Sequence, residues 1–284
     1  MKTNNLFLGL FLFLIIPIYS CSNDDSTIDE NLSVAKTMLN VSYGSDSQQV
    51  FDLYLPANRS ALSTKTLLLV HGGGWVEGDK VDMNYAVDII KQFLPDYAIA
   101  NVNYRLATTG NYAFPMQIDD IDAIVQKLKV ENYGISDDFG FIGTSAGGHL
   151  SLLYSYEYNS DNNIKMVCSI VGPTNFTDSN YINNQAWLDL YFSLTGVHYA
   201  DNQAYYEQLS PLFRATTSSA PTIMFYGNAD PLIPTSQGVD LHAKLDQLGV
   251  YNEFNLYNGG HGNWSQTDLL DANLKMIAFI QNKF

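Results

Sequence analysis

Three residues able together to activate a hydroxyl stand in the chain in a usable order. Ser145 lies in Gly143-Thr144-Ser145-Ala146-Gly147, Asp230 in Gly227-Asn228-Ala229-Asp230-Pro231, and His261 in Asn258-Gly259-Gly260-His261-Gly262. A serine hydroxyl is a poor nucleophile at neutral pH. It needs a base to take its proton, and the base needs an acid to orient it. The pentapeptide around Ser145 follows the apolar run Phe139-Gly140-Phe141-Ile142 and precedes the helix-like Gly148-His149-Leu150-Ser151-Leu152-Leu153. In that strand–turn–helix context G-x-S-x-G holds its serine at the tip of a strained turn. A fourth element, His71-Gly72-Gly73-Gly74-Trp75, comes straight after the apolar run Thr66 to Val70. Consecutive glycines let backbone N–H groups approach an anion. Gly73 and Gly74, with Ala146 next to the serine, are therefore candidate donors to a tetrahedral oxyanion, each worth about 3 kcal/mol in the transition state. A phosphate-binding loop is the weaker reading, because no Walker-type Lys-Ser/Thr follows.

Other acids and histidines have lesser claims. Asp201 falls in an insertion, and Asp240 and Asp246 fall within a predicted helix, where a solvated face is the ordinary role. His149 is on the helix after Ser145, His242 on a predicted surface helix, and His198 in the insertion, where it would at most touch substrate. No cluster with metal-ligand spacing is visible, so neither a metal nor another cofactor is expected.

The elements that must position these residues read as one domain. The chain has 284 residues and no visible interior linker or repeat. A formal net charge of −15 argues against a nucleic-acid partner. Two amphipathic strands are expected at 37–43 and 49–55, the second with Phe51, Leu53 and Leu55 on one face and Asp52 and Tyr54 on the other. Strands then alternate with helices: strands at 66–70, 97–102, 139–142, 165–171, 221–226 and 253–257, helices at 85–94, 115–130, after Ser145, 235–248 and 266–283. That rhythm predicts an α/β fold with a mostly parallel sheet and helices on both faces. Cys168 lies in the apolar 165–171 run and reads as a buried strand residue. Residues 174–212 break the rhythm and are rich in aromatics, Trp187 and Tyr191 among them. An insertion after the carboxyl end of a strand overhangs the site of such a sheet, so this one reads as a small cap, with Trp75, Trp187 and Tyr191 as candidate substrate contacts. A packing subdomain without substrate contact is the alternative.

The N-terminus reads as a targeting segment. Met1-Lys2 is followed by an apolar stretch from Leu6 to Ile18, too short for a comfortable membrane span. It ends in Ile18-Tyr19-Ser20-Cys21, which resembles a bacterial lipobox, although Tyr19 is a loose fit. Residues 1–20 are then a signal peptide, Cys21 the lipidated residue, 21–36 a polar tether and 37–284 the domain. The acidic Ser22-Asn23-Asp24-Asp25-Ser26 resembles a surface-export tag, which places the expected protein on the bacterial outer membrane. A plain secretory signal, leaving a periplasmic or secreted protein, is the alternative.

The combination of His71-Gly-Gly-Gly-Trp75 with Gly78-Asp79-Lys80, Asn103-Tyr104-Arg105-Leu106, the Pro115 helix with Asp119, and Gly143-Thr-Ser-Ala-Gly-Gly-His-Leu150 resembles the α/β-hydrolase fold serine esterases. It is most similar to the bacterial feruloyl/acetyl xylan esterase type (BD-FAE), related to the hormone-sensitive lipase group. The resemblance runs over roughly residues 40–284. It implies Ser145, Asp230 and His261 as the triad and Gly73, Gly74 and Ala146 as the oxyanion hole. Asp79, Arg105 and Asp119 match motif positions and read as structural, pairing or capping near the site. Thr144 stands where lipase-group members have Asp, and Asp230-Pro-Leu-Ile-Pro234 resembles the D-x-x-I/V-P loop of other branches. Both turn the expectation toward a carbohydrate esterase whose substrate is a small ester or an acylated polysaccharide. A general carboxylesterase, an arylformamidase-like amidase or a peptidase would use the same triad, and a non-catalytic glycan-binding protein is the reading from another class.

Overall fold

The computed structural model describes residues 31–284. The expected signal peptide, Cys21 and most of the tether lie outside the described residues. Residues 32–35 do not trail free as the end of a tether: the Leu32 carbonyl accepts from the Arg59 amide and the Val34 carbonyl from the Arg59 guanidinium.

Eight strands, β1 Lys36–Ser42, β2 Val50–Leu55, β3 Thr66–Val70, β4 Ala98–Val102, β5 Phe139–Thr144, β6 Ile164–Ile170, β7 Thr222–Gly227 and β8 Asn252–Tyr257, form one sheet. Its order is β1-β2-β4-β3-β5-β6-β7-β8. β1 and β2 run antiparallel, and every pairing from β4 to β8 is parallel. Parallel strands need crossovers that place helices on both faces, so their residues are apolar throughout. β3 shows this. Leu68 and Val70 belong to the core on one face, with α2 (Met116–Val130), α3 (Ala146–Leu153) and α8 (Ser236–Leu248). Leu67 and Leu69 belong to the other, with α1 (Asn84–Phe93) and α9 (Gln266–Lys283). All four are fully buried, and each contributes about 2 kcal/mol by leaving water.

The strands and helices fall within one or two residues of the expected spans, with one change of character. Asp52 is not on a solvent face of β2. It is buried and pairs with Lys80 at 3.1 Å, both side chains only 10% exposed, because Asp79 caps a short 3₁₀ turn over Lys80–Met83 that carries Lys80 inward. The insertion after β6 folds into four short helices, α4 Ser179–Ile182, α5 Gln185–Thr195, α6 Gln203–Gln208 and α7 Pro211–Arg214, around a knot of aromatic rings. Polar bonds fasten its first turn to α8: the buried Gln237 side chain accepts from the Thr174 and Asn175 amides and donates to Asp178. Among the described residues no helix is long and apolar enough to cross a membrane.

Candidate active site

Ser145 sits between β5 and α3 with φ 53° and ψ −119°, a left-handed conformation that a non-glycine residue adopts only when its surroundings impose it. Gly147 makes the turn possible. A Cβ there would meet the Val70 carbonyl oxygen at 2.1 Å and that of His71 at 2.4 Å, so the start of α3 lies directly on the end of β3. The amides of Ser145 and His149 fix the serine further, bonding to the carbonyls of Ile170 and Ser145 at 2.8 and 3.0 Å.

The three predicted residues converge. His261 Nε2 is 3.0 Å from Ser145 Oγ, and His261 Nδ1 is 2.7 Å from Asp230 Oδ2. A carboxylate only accepts, so the Nδ1–H donates to Asp230 and Nε2 is left to accept from the Ser145 hydroxyl. The other Asp230 oxygen accepts from the amides of Leu232 and Ile233 at 2.8 and 3.0 Å. Burial alone would raise the Asp230 carboxyl, but the His261 hydrogen bond and these two amides outweigh it and hold the group below the usual carboxylate range. It is therefore ionised at neutral pH.

Hydrogen bonds fix the His261 loop. The Ala229 amide donates to the Gly259 carbonyl, and Asn228 Nδ2 donates to Asn258 Oδ1, which ties the acid loop to the base loop. Within the base loop the Gly260 amide bonds Asn263 Oδ1 and the Trp264 indole bonds the Gly260 carbonyl. The glycines supply the backbone shape, φ 139° at Gly259 and 86° at Gly262, and side-chain bonds lock it. Asn228, Asn258, Asn263 and Trp264 are the supporting residues that motif reading missed. Their signal was an asparagine two places before Asp230 and one on each side of the Gly-Gly-His-Gly run.

The oxyanion loop lies beside Ser145. Gly73 has φ 109°, and a Cβ there would meet the Glu77 carbonyl oxygen at 2.0 Å, so only glycine fits. Its carbonyl accepts from the Val76 and Glu77 amides, and the His71 carbonyl accepts from the buried Tyr104 hydroxyl at 2.9 Å. The amides of Gly73 and Gly74 have no protein acceptor among the described residues. Ala146 is the first residue of α3, where an N–H has no partner within the helix. His71 stays within the loop, with its Nδ1–H on the Gly72 carbonyl at 2.7 Å and its ring stacked on Tyr104. Arg105 pairs with the buried Asp120 at 2.6 Å, and not with Asp119, which is exposed in the first turn of α2. The helix turns the second acidic residue inward, and the motif position is the neighbour of the working one.

Ser145, His261, Gly73 and Gly74 line a cleft of about 710 Å³. The insertion supplies one wall with Trp187 and Leu190, and the loop after Asp230 another with Leu232 and Ile233. Of the three candidate contacts only Trp187 is openly placed there. Trp75 borders the cleft but is 2% exposed, its indole turned to His149. Tyr191 is fully buried, does not line the cleft and packs on Phe176 and Tyr206, because α5 turns Leu190 outward and Tyr191 into the aromatic knot. Glu77 and Asp82 are the carboxylates on the rim. No group of three or more His, Cys, Asp or Glu able to hold a metal occurs among the described residues.

An arrangement of this kind can move a proton from a hydroxyl to an imidazole and stabilise the anion that results from attack on a carbonyl. The chain is 26% identical over 252 residues to esterase LipC of Mycobacterium tuberculosis, covering 82% of this chain and 60% of that protein. It is 29% identical over 171 residues to the arylacetamide deacetylase of Oryctolagus cuniculus, covering 57% of this chain and 39% of that one. The chain thus spans between two fifths and three fifths of these relatives. Its fold is that of a truncated carbohydrate esterase from gut microbiota, with a TM-score of 0.68 at 20% identity over 88% of this chain and 98% of the other. The BD-FAE family model matches residues 51–245, more than half of the chain, and the chain belongs to the BD-FAE family.

Proposed function

We propose that the protein is a serine hydrolase of carboxylic esters, and that its substrates are acetyl or feruloyl esters of plant polysaccharide. The contact that carries the reading is the 3.0 Å approach of His261 Nε2 to Ser145 Oγ, with Asp230 behind the imidazole. Ser145 Oγ attacks the ester carbonyl carbon as His261 Nε2 takes its proton. The carbonyl oxygen becomes an oxyanion facing the amides of Gly73, Gly74 and Ala146. His261 then gives the proton to the alcohol oxygen as the carbon–oxygen bond breaks, leaving an acyl group on Ser145. Water repeats the sequence, losing a proton to His261 and releasing the acid as the proton returns to Ser145. The carbohydrate assignment is supported by family membership, by a structural neighbour described as a carbohydrate esterase, and by an open cleft walled by Trp187 and Leu190. The Ser20-Cys21 lipobox-like site supports display on the cell surface, where polymers too large to import are met.

The test is release of acetate from acetylated xylan and of ferulate from methyl ferulate and feruloylated arabinoxylan, side by side with p-nitrophenyl acetate. Turnover of the small ester with none of the others would leave a general carboxylesterase. The arylacetamide deacetylase relative favours one second reading, cleavage of an aryl amide, and an acetanilide in the same panel decides it.

A further inference from the structure

His149 takes no part in the proposed proton transfers, yet it is fully buried at the junction of three parts of the site. Its amide bonds the Ser145 carbonyl, one turn after the nucleophile. Its Nδ1 is 3.3 Å from the indole nitrogen of Trp75, and its Nε2 is 2.8 Å from the carbonyl oxygen of Leu209 in the insertion. An indole N–H only donates and a carbonyl only accepts. One neutral tautomer, bare at Nδ1 and protonated at Nε2, satisfies both. The ring is stacked on Phe176 at 4.6 Å and met edge-on by Trp75 and Phe114. Trp75 itself needs holding, since its φ is 66° with a full side chain, immediately after the two candidate oxyanion glycines. Its carbonyl is taken by Gln117 Nε2 and the Ala107 amide, and the indole bond to His149 holds the far end of the side chain.

We propose that His149 is a positioning residue that clamps the oxyanion loop, through the Trp75 indole, to the nucleophile helix on one side and to the insertion on the other. The inference rests on the ester-hydrolase reading above. Loss of the clamp releases Trp75, and with it Gly73 and Gly74, relative to Ser145. The ground-state ester makes weak use of those amides and the transition state strong use, so the effect falls on kcat and spares KM.

Two substitutions separate the halves of the clamp. In His149→Asn the side-chain oxygen takes the place of Nδ1 and still accepts from Trp75. In His149→Gln the side-chain amide takes the place of Nε2 and still reaches Leu209, but nothing accepts from Trp75. With p-nitrophenyl acetate, H149Q should lose about 10- to 100-fold in kcat at unchanged KM, the penalty of a misplaced site, and H149N should stay within about threefold of wild type. Trp75→Phe, which keeps the ring and deletes the N–H, should match H149Q. A residue that only fills the core would lower thermal stability equally in H149N and H149Q and leave the kcat values alike, and that result overturns the proposal. Hydrogen exchange of the Trp75 indole tests the clamp without turnover. Its proton should exchange slowly in wild type and H149N and fast in H149Q, and fast exchange in wild type also overturns the proposal. A wild-type protein that hydrolyses no ester, with a protected Trp75 indole, would refute the functional reading and leave the clamp standing.

Discussion

The two loops that bring Asp230 and His261 to Ser145 and the aromatic insertion that walls the cleft are held by different forces. The loops are held by hydrogen bonds of fixed geometry: Asp230 to Leu232 and Ile233, Ala229 to Gly259, Asn263 to Gly260. Beyond the polar bonds that fasten its first turn to α8, the insertion is packed around rings. Phe176, Tyr181, Trp187, Tyr191 and Tyr206 pack at centroid distances of 4.1 to 6.3 Å, and two of them, Tyr181 and Tyr191, bury hydroxyls with no protein partner. Directional bonds place atoms to within a few tenths of an ångström, which proton transfer requires. Ring packing fills volume and leaves room for exchange of one side chain for another. On the function proposed above, the reaction belongs to the first region and the choice of substrate to the second.

Breaking the first region should cost most. Asp230→Asn keeps the shape of the acid loop but turns the carboxylate into a group that no longer enforces the Nδ1–H tautomer of His261. It should lower kcat for p-nitrophenyl acetate by about 10⁴-fold with little change in KM. A fall of less than tenfold would show that the imidazole is oriented by something else.

The junction of the two regions should fail next, and with acid. Burial drives the His149 imidazole down to about 4 from its ordinary 6.5, the Leu209 hydrogen bond opposing it only in part, and Trp75, Phe114 and Phe176 pack around the ring. The unfolded chain takes up this proton at higher pH than the folded one. Stability is therefore full above pH 6.5 and falls between pH 6.5 and about 4, by about 3 kcal/mol from this residue. Denaturant titrations across that window should show the loss in wild type and a flatter profile in His149→Asn. Equal slopes in the two proteins would contradict it.

Within the second region the effects should be smaller and confined to substrate choice. Trp187→Ala removes an indole from the cleft wall and should raise KM for methyl ferulate about tenfold, the worth of one aromatic contact, while p-nitrophenyl acetate is little affected. Equal changes for both esters would mean that Trp187 supports the cleft without touching the acyl group. Tyr191→Phe should be the mildest. Deleting a buried hydroxyl that has no partner removes a desolvation penalty, so the variant should unfold at the same temperature or slightly higher, a gain of about 1 kcal/mol at most, with unchanged kinetics. A clear loss of activity would restore Tyr191 to the site.

The same contrast explains how far the sequence could be read. Strands buried on both faces must be apolar throughout, so Thr66–Val70 and Phe139–Ile142 announce themselves, and the loops at their ends inherit a position. Ser145, Asp230 and His261 were legible because each stands in such a loop in a recognisable order. Asp52 misled because its partner, Lys80, is far along the chain and arrives only through a capped turn. Asp119 misled because helix phase, and not motif position, decides which of two adjacent carboxylates faces Arg105. Tyr191 and Trp187 are four residues apart on α5 and chemically alike, and only the packing of the insertion sends one into the core and the other to the cleft.

The most direct test of the central claim is covalent. A fluorophosphonate reacts with a serine only where a base activates the hydroxyl and an oxyanion site receives the phosphoryl oxygen. Intact-mass and peptide analysis of the treated protein should show one adduct, on Ser145, and Ser145→Ala should take up none and lose p-nitrophenyl acetate hydrolysis by about 10⁵-fold or more. An unlabelled Ser145, or a Ser145→Ala protein that still turns over the ester, would contradict the account.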